Sequence, residues 1–176
     1  MVFAHDTQAA LVAAIELVNS AEAPDTLTDP AQLADFYRRH DYTGVHVGDD
    51  AELAAVRALR GPLRRLLTSD RATAVTLVNE ILREHRAVPQ LVRHGDVDYH
   101  VHAVPPEAAL PVRIAVETAM AMIDVIRADD LSRLSVCADD VCEGLVLDLS
   151  RNRSRRYCST ACGNRNAVAA YRARRR

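Results

Sequence analysis

Four cysteines stand in the last forty residues of this 176-residue chain and nowhere else, as Cys137-x4-Cys142 and Cys158-x3-Cys162. Two close pairs separated by about fifteen residues have the layout of a tetrahedral, all-cysteine zinc site. Zinc is borderline-soft, and four thiolates close its coordination sphere. Such a site is structural and leaves no open position for a substrate. Its binding free energy, on the order of 10 kcal/mol or more in zinc-finger peptides, can fold a segment too short to bury a core of its own. The spacing also admits free buried thiols or a redox pair.

Charge is split along the chain. All 22 basic residues are arginine. Beside so much alanine this reads as the codon bias of a GC-rich genome, so total arginine content says little and its placement says more. Residues 1–150 hold 13 arginines against 24 acidic residues, a formal charge of −11; residues 151–176 hold nine arginines and no acid, +9. The pattern is an acidic body with a basic arm. Four thiolates around Zn²⁺ would be locally anionic, so some of that arginine serves the metal under this reading. The N-terminus lacks a basic segment followed by a long apolar one, and no run of uncharged apolar residues approaches a membrane span. The expectation is a cytoplasmic chain without membrane association, in a compartment where paired cysteines bind metal more often than they form disulfides.

The body reads as mainly helical. Leu11, Ile15 and Val18 recur at helical spacing, predicting a helix over 7–19. Asp29 fits an N-cap, Pro30 the first helical position and Gln32 the third residue of a capping box, with Leu33, Phe36 and Tyr37 facing inward. One helix from Asp50 carries Leu53, Val56, Leu59 and Leu63, broken or kinked at Gly61-Pro62. Another near 70–85 carries Val75, Val78, Ile81 and Leu82. Gln90–His94, a Gly95-Asp96 turn and Val97–Ala103 read as a hairpin, with Val97, Tyr99, Val101 and Ala103 on one face. A long helix over 106–128 is apolar on most sides, with a polar stripe of Arg113, Glu117, Asp124 and Arg127; it is the expected centre of the body. Asp129–Ser132 is a short turn rather than a linker, so the cysteine module is expected to dock on the body.

In the tail, Val136 ends a short strand, Leu145–Leu147 forms a second, and Ser150–Arg156 is a basic loop. Residues 163–174 are helix-compatible. Two ligands on a hairpin and two at the start of a helix make a treble-clef-like arrangement. The predicted class is therefore α+β, mainly α: a helical body over 1–133 with one β-hairpin, then a four-cysteine finger with a basic C-terminal helix over 134–176.

The stretch Asp148-Leu-Ser-Arg-Asn-Arg-Ser-Arg-Arg-Tyr-Cys158-Ser-Thr-Ala-Cys162-Gly-Asn-Arg165 resembles the CGNR zinc finger, named for its last four residues. The likeness extends to Val136–Asp140 and Ala167–Arg174. The preceding 130 residues resemble, more loosely, the ABATE domain that precedes this finger, through Leu17-Val18-Asn19-Ser20, the Thr28-Asp29-Pro30 start and the order of elements. The resemblance implies a stress-responsive transcriptional regulator with one structural zinc on Cys137, Cys142, Cys158 and Cys162. Two positions depart from the family pattern: Tyr157 stands where tryptophan is common, and Glu143-Gly144 where a glycine–aromatic pair is common.

The basic residues follow from that reading. Arg151, Arg153, Arg155 and Arg156 before the third cysteine, Asn164 and Arg165 after the fourth, and Arg172 and Arg174 beyond are the expected nucleic-acid contacts. Alternation would turn 151, 153 and 155 one way if the loop is extended. Arginine's planar fork binds phosphate or guanine bidentately. About five engaged phosphates would give a log K versus log salt slope of roughly −4 to −5. DNA is the expected partner. RNA, a protein partner and a zinc–thiolate redox switch are the alternatives; a small-molecule effector and a homodimer of the body stay open. Asn164 and Arg165 equally suit a structural role, Asn164 by bonding the ligand loop. Tyr157 is expected to pack against the module. His94, His100 and His102, the last two on one strand face, raise a second metal site against the plainer reading of exposed histidines. No nucleophile elbow, phosphate loop or zinc-protease motif occurs, and the expectation is a non-enzyme.

Overall fold

The computed structural model describes residues 3–94 and 97–175. Among them α1 (His5–Asn19) buries Leu11, Leu17 and Val18 on one face. α2 (Pro30–Arg39) starts as its residues dictate. Asp29 accepts from the Gln32 amide at 2.8 Å, and Pro30 takes the first turn, where a missing N–H costs nothing. The Gln32 side chain reaches past the N-cap: its Oε1 accepts from the Thr28 amide at 2.6 Å.

Of the break or kink expected at Gly61-Pro62, the structure has a break, so the run is two helices. α3 (Asp50–Ala58) ends at Leu59, and α4 (Arg60–Thr68) follows at once. The break lies upstream of Gly61-Pro62, so Pro62 falls in the first turn of α4, where its lack of a donor is harmless. α5 (Arg71–Glu84) is capped by Asp70, which accepts from the Ala72 and Thr73 amides. It buries Ala74 and Val78; Val75, expected inside, is 40% exposed.

After the hairpin, α6 (Leu110–Arg127) packs against α1, α3 and α5 and buries Leu110, Ile114, Val116, Ala119 and Met122 completely. It is the central helix expected, but of its polar stripe only Arg127 is exposed, Glu117 and Asp124 are half-buried, and Arg113 is buried. Arg113 is only 2% exposed. Its Nε donates to the Ala108 carbonyl at 3.0 Å and its Nη2 to the Val45 carbonyl, tying the 43–48 loop to the start of the helix. Gly44 in that loop has φ +91°, and a Cβ there would lie 2.3 Å from the Pro106 carbonyl oxygen. Only glycine combines that backbone with that approach.

The hairpin itself, β1 (Gln90–His94) and β2 (Val97–His102), is antiparallel, with a register shift between Val92 and His94. Its expected Gly95-Asp96 turn lies outside the described residues. The expected apolar face is not a core face. Tyr99 is 67% exposed, Val101 is half-buried and Ala103 is buried. Alternation marks a strand; it does not say whether another layer covers it. The hairpin is held at its base by hydrogen bonds from the Val101 amide to the Asp6 carboxylate (Oδ2, 3.2 Å) and from the Val88 amide to the Ala103 carbonyl at 2.7 Å.

A short 3₁₀ turn (Leu131–Arg133) leads straight into β3 (Leu134–Val136), which pairs antiparallel with β4 (Leu145–Leu147). The twofold period of β4 divides it between two cores. Leu145 and Leu147 join the core of the body, while Val146 packs with Cys137 and Cys162. Asn19, at the end of α1, holds the same strand. Its Nδ2 donates to the Leu145 carbonyl at 2.9 Å, and its Oδ1 accepts from the Leu145 amide at 2.6 Å. The expected docking is therefore a shared core, not a surface contact. α7 (Thr160–Ala173) closes the chain. Among the described residues no helix is long and apolar enough to cross a membrane.

Candidate metal centre

The four cysteines arrive from two local structures. Cys137 follows β3 and Cys142 closes the next turn; Cys158 precedes the Ser159 N-cap, and Cys162 lies in the first turn of α7. The helix starts three residues earlier than the sequence suggests, because the Ser159 hydroxyl accepts from the Cys162 amide at 3.3 Å. All four thiols are free, and their sulfurs lie within 4.8 Å of one another. Cys142 and Cys158 are 3.5 Å apart and Cys158 and Cys162 3.7 Å. A tetrahedron with Zn–S bonds of ~2.3 Å has edges of about 3.8 Å. The set thus fits one metal ion, consistent with a single Zn²⁺.

The surroundings are built for thiolates. The Gly144 amide points at Cys142 Sγ (3.4 Å), the Cys158 amide at Cys137 Sγ (3.4 Å) and Arg165 Nη2 at Cys162 Sγ (3.3 Å). Donors of this kind orient sulfur ligands and spread their charge. Gly144 also supplies space: a Cβ there would stand 3.0 Å from Cys158 Sγ and 3.4 Å from Cys142 Sγ. Burial pushes the Cys142 and Cys158 thiols up, whereas the Ser159 hydroxyl holds Cys162 down. A divalent cation held by the four sulfurs would favour their thiolate forms.

Two supporting residues escaped the sequence reading. Asp139, 5% exposed, accepts from Arg165 Nε at 2.8 Å, Asn166 Nδ2 at 2.9 Å and the Val141 amide at 3.1 Å. The Arg165 guanidinium beside it holds its carboxyl below the usual range. Asn166 Nδ2 also donates to the Cys162 carbonyl at 3.0 Å. Their signal was positional: Asp139 lies inside the first cysteine pair, and Asn166 one helical turn beyond Cys162.

The arginines separate into two groups. Arg165 faces Asp139 and the Cys162 sulfur. Arg155 Nη2 donates to the Cys158 carbonyl at 3.2 Å, and its amide to Asp148 Oδ2 at 2.7 Å. Arg153, at φ +49°, turns back so that Nη2 meets Asp130 Oδ1 at 2.6 Å. The loop is therefore turned rather than extended, and 151, 153 and 155 do not share a face as alternation predicts. Arg151, Arg156, Arg172 and Arg174 are exposed, and their side chains make no hydrogen bond or ion pair among the described residues. Asn164 is exposed likewise, and Asn166 takes the loop-bonding position expected of it. Arg175 stacks over Tyr171 at 4.9 Å, and Arg176 lies outside the described residues. Tyr157 packs with the cysteine cluster. His100 and His102 meet through their Nε2 atoms at 2.9 Å. Among the described residues, however, the four cysteines are the one group of three or more ligating side chains placed to hold an ion.

Beyond Cys162, α7 buries nothing. Val168 and Tyr171 are about half exposed, at 48% and 51%. The helix stands off the molecule with basic residues toward its end.

Two family models match the chain. The ABATE model, described as "Putative stress-induced transcription regulator", covers residues 11–129, and the CGNR zinc finger model covers residues 133–175. No curated protein matches the chain.

Proposed function

We propose, from the premise that the chain belongs to the ABATE family and ends in a CGNR zinc finger, that it is a transcription regulator whose finger binds duplex DNA. The observation that carries this reading is α7. Its 14 residues span ~21 Å, it is anchored at one end by the metal ligand Cys162 and the Asp139 contacts of Arg165 and Asn166, and from Ala167 to Ala173 every residue is exposed. A helix of that kind suits a major groove about 12 Å wide. The free arginines, Arg151 and Arg156 in the loop and Arg172 and Arg174 on the helix, are its phosphate contacts. Arg153, Arg155 and Arg165 instead hold the module together, and Asn164 on the exposed face is the candidate base reader. The −11 charge of residues 1–150 repels nucleic acid and turns the tail toward it. The reading is one of binding in the cytoplasm, with no catalytic step.

The test is selection of zinc-loaded full-length protein on randomised duplex DNA at near-physiological salt, beside an R172A/R174A variant. Enrichment of a common motif by the wild type, lost in the variant, is the expected result. With four arginines on phosphates, log K falls with log salt at a slope of about −3.6. A slope near zero, or no enrichment from folded protein, rejects DNA binding. The half-buried state of Cys142 and Cys158 favours one second reading, a thiol switch. Loss of zinc under mild oxidant, restored by reductant and zinc, supports it; resistance to oxidant leaves a purely structural metal.

A further inference from the structure

The body encloses a cavity that the finger does not use. About 320 Å³ opens between the first half of α1, the second half of α6, β2 and residues 40–43. That is the lower end of the range for small-molecule sites, about 300–1,000 Å³. Ala10, Ala13, Met120, Ala121 and Ile123 give it an apolar wall.

Polar side chains also line it, and two of them are left open toward it. Glu117, on α6, faces the cavity, and its carboxylate makes no hydrogen bond or ion pair among the described residues. Tyr42 lines the same space, is only 9% exposed, and its hydroxyl likewise has no hydrogen-bond partner among the described residues. Two turns along α6, Asp124 Oδ2 accepts from the Thr7 hydroxyl at 2.5 Å, and no hydrogen bond engages its Oδ1 among the described residues. Buried polar groups are normally paired, so a carboxylate and a phenol left open toward one cavity call for an outside partner. Arg113, one turn before Glu117, gives Nε and Nη2 to the Ala108 and Val45 carbonyls, and its buried Nη1 has no hydrogen-bond partner among the described residues. Burial accordingly pushes the Glu117 carboxyl up to about 7, the Arg113 charge offsetting this in part. The Tyr42 hydroxyl is pushed up too, by burial and then by the nearby Glu117 charge.

We propose that this cavity binds a small apolar amine, its ammonium received by Glu117 with the Tyr42 hydroxyl beside it and its hydrocarbon body laid against Ala10, Ala13, Met120 and Ala121. The sign of the charge decides the class. Four carboxyl groups, on Asp6, Asp41, Glu117 and Asp124, line the cavity beside one guanidinium, Arg127, and four imidazoles, His5, His40, His100 and His102; the acids outnumber the one permanent cation, so a carboxylate or phosphate would meet repulsion and an ammonium attraction. An apolar wall with a few convergent polar groups selects a compact organic cation over a hydrated inorganic one. The site stands apart from the DNA reading, since it involves neither the metal centre nor α7.

The experiment uses full-length zinc-loaded protein and three probes of one shape: phenethylamine, 2-phenylethanol and 3-phenylpropanoate. Binding is read by calorimetry and by thermal shift. Phenethylamine is expected to bind saturably and raise Tm, the alcohol to bind at least about tenfold more weakly, and the acid not at all. Glu117→Gln keeps the shape and removes the charge, so it stays folded by circular dichroism and loses at least about tenfold in amine affinity. Equal binding of amine and alcohol, preference for the acid, wild-type affinity in E117Q, or no saturable amine binding up to millimolar concentration would each overturn the proposal.

Discussion

The bond between Asn19 and β4 gives the sharpest test of how this molecule is assembled. Asn19 Nδ2 and Oδ1 satisfy both backbone groups of Leu145, a residue only 2% exposed. In Asn19→Ala a buried N–H and a buried C=O lose their partners together. Each orphaned group costs about 1–3 kcal/mol. Water entering at the half-exposed end of α1 recovers some of this, leaving an expected loss of about 2–4 kcal/mol. Asn19→Asp keeps the acceptor for the amide and loses the donor to the carbonyl, so its loss falls between the two. The assay is urea unfolding of the zinc-loaded chain followed by two probes, far-ultraviolet circular dichroism for the helices of the body and a chromophoric chelator for released zinc. Because Leu145 and Leu147 belong to the core of the body, both midpoints should move down together. A fall in the zinc midpoint with an unmoved helical midpoint would show that finger and body unfold separately. Two unmoved midpoints would show that the bond contributes nothing; either result refutes the shared-core argument.

Two further outcomes follow from the same geometry. Chelation of the metal, or Cys158→Ser, should melt α7, which past Cys162 buries nothing and is too short to persist alone; the circular dichroism loss should match about 14 helical residues and leave the body helices in place, and a wider loss or none would contradict it. Glu117 should make the protein less stable at higher pH. Its folded pKa of about 7 lies above the ordinary 4.5, so the folded state binds more protons in that window, and stability from this group falls as pH rises from about 4.5 to 7 and stays low above it. The loss is at most about 3 kcal/mol, E117Q should abolish it, and identical pH profiles for the two proteins in urea titrations would show that the carboxyl is not buried as described.

Much of the metal centre was legible because its chemistry is local. Cys137, Cys142, Cys158 and Cys162 announce themselves by residue type and spacing, and the Asp29-Pro30 helix start by the needs of orphaned amides. The strands at 134–136 and 145–147 were likewise visible as short apolar runs. Direction was not. The sequence placed Arg113 on a polar stripe, but not that it is buried and donates to the Val45 carbonyl, 68 positions away. It placed Arg153 and Arg155 on one extended face, but Asp130 and the Cys158 carbonyl turn the loop. Tyr99 had a strand's alternation, yet no second layer covers it.

Sequence alone thus determined the ligands, the helix starts and the uneven charge of the two ends, since each depends on neighbours within a few positions. The tertiary structure alone decided that β4 belongs to two cores at once, that Arg165 braces Asp139 and a sulfur, and that α1, α6 and β2 line a cavity that Glu117 faces. Those facts rest on contacts such as Asn19 to Leu145, 126 positions apart. Burial and pairing across such distances are set by how elements pack, and a one-dimensional pattern carries the period of each element but not the identity of what it packs against.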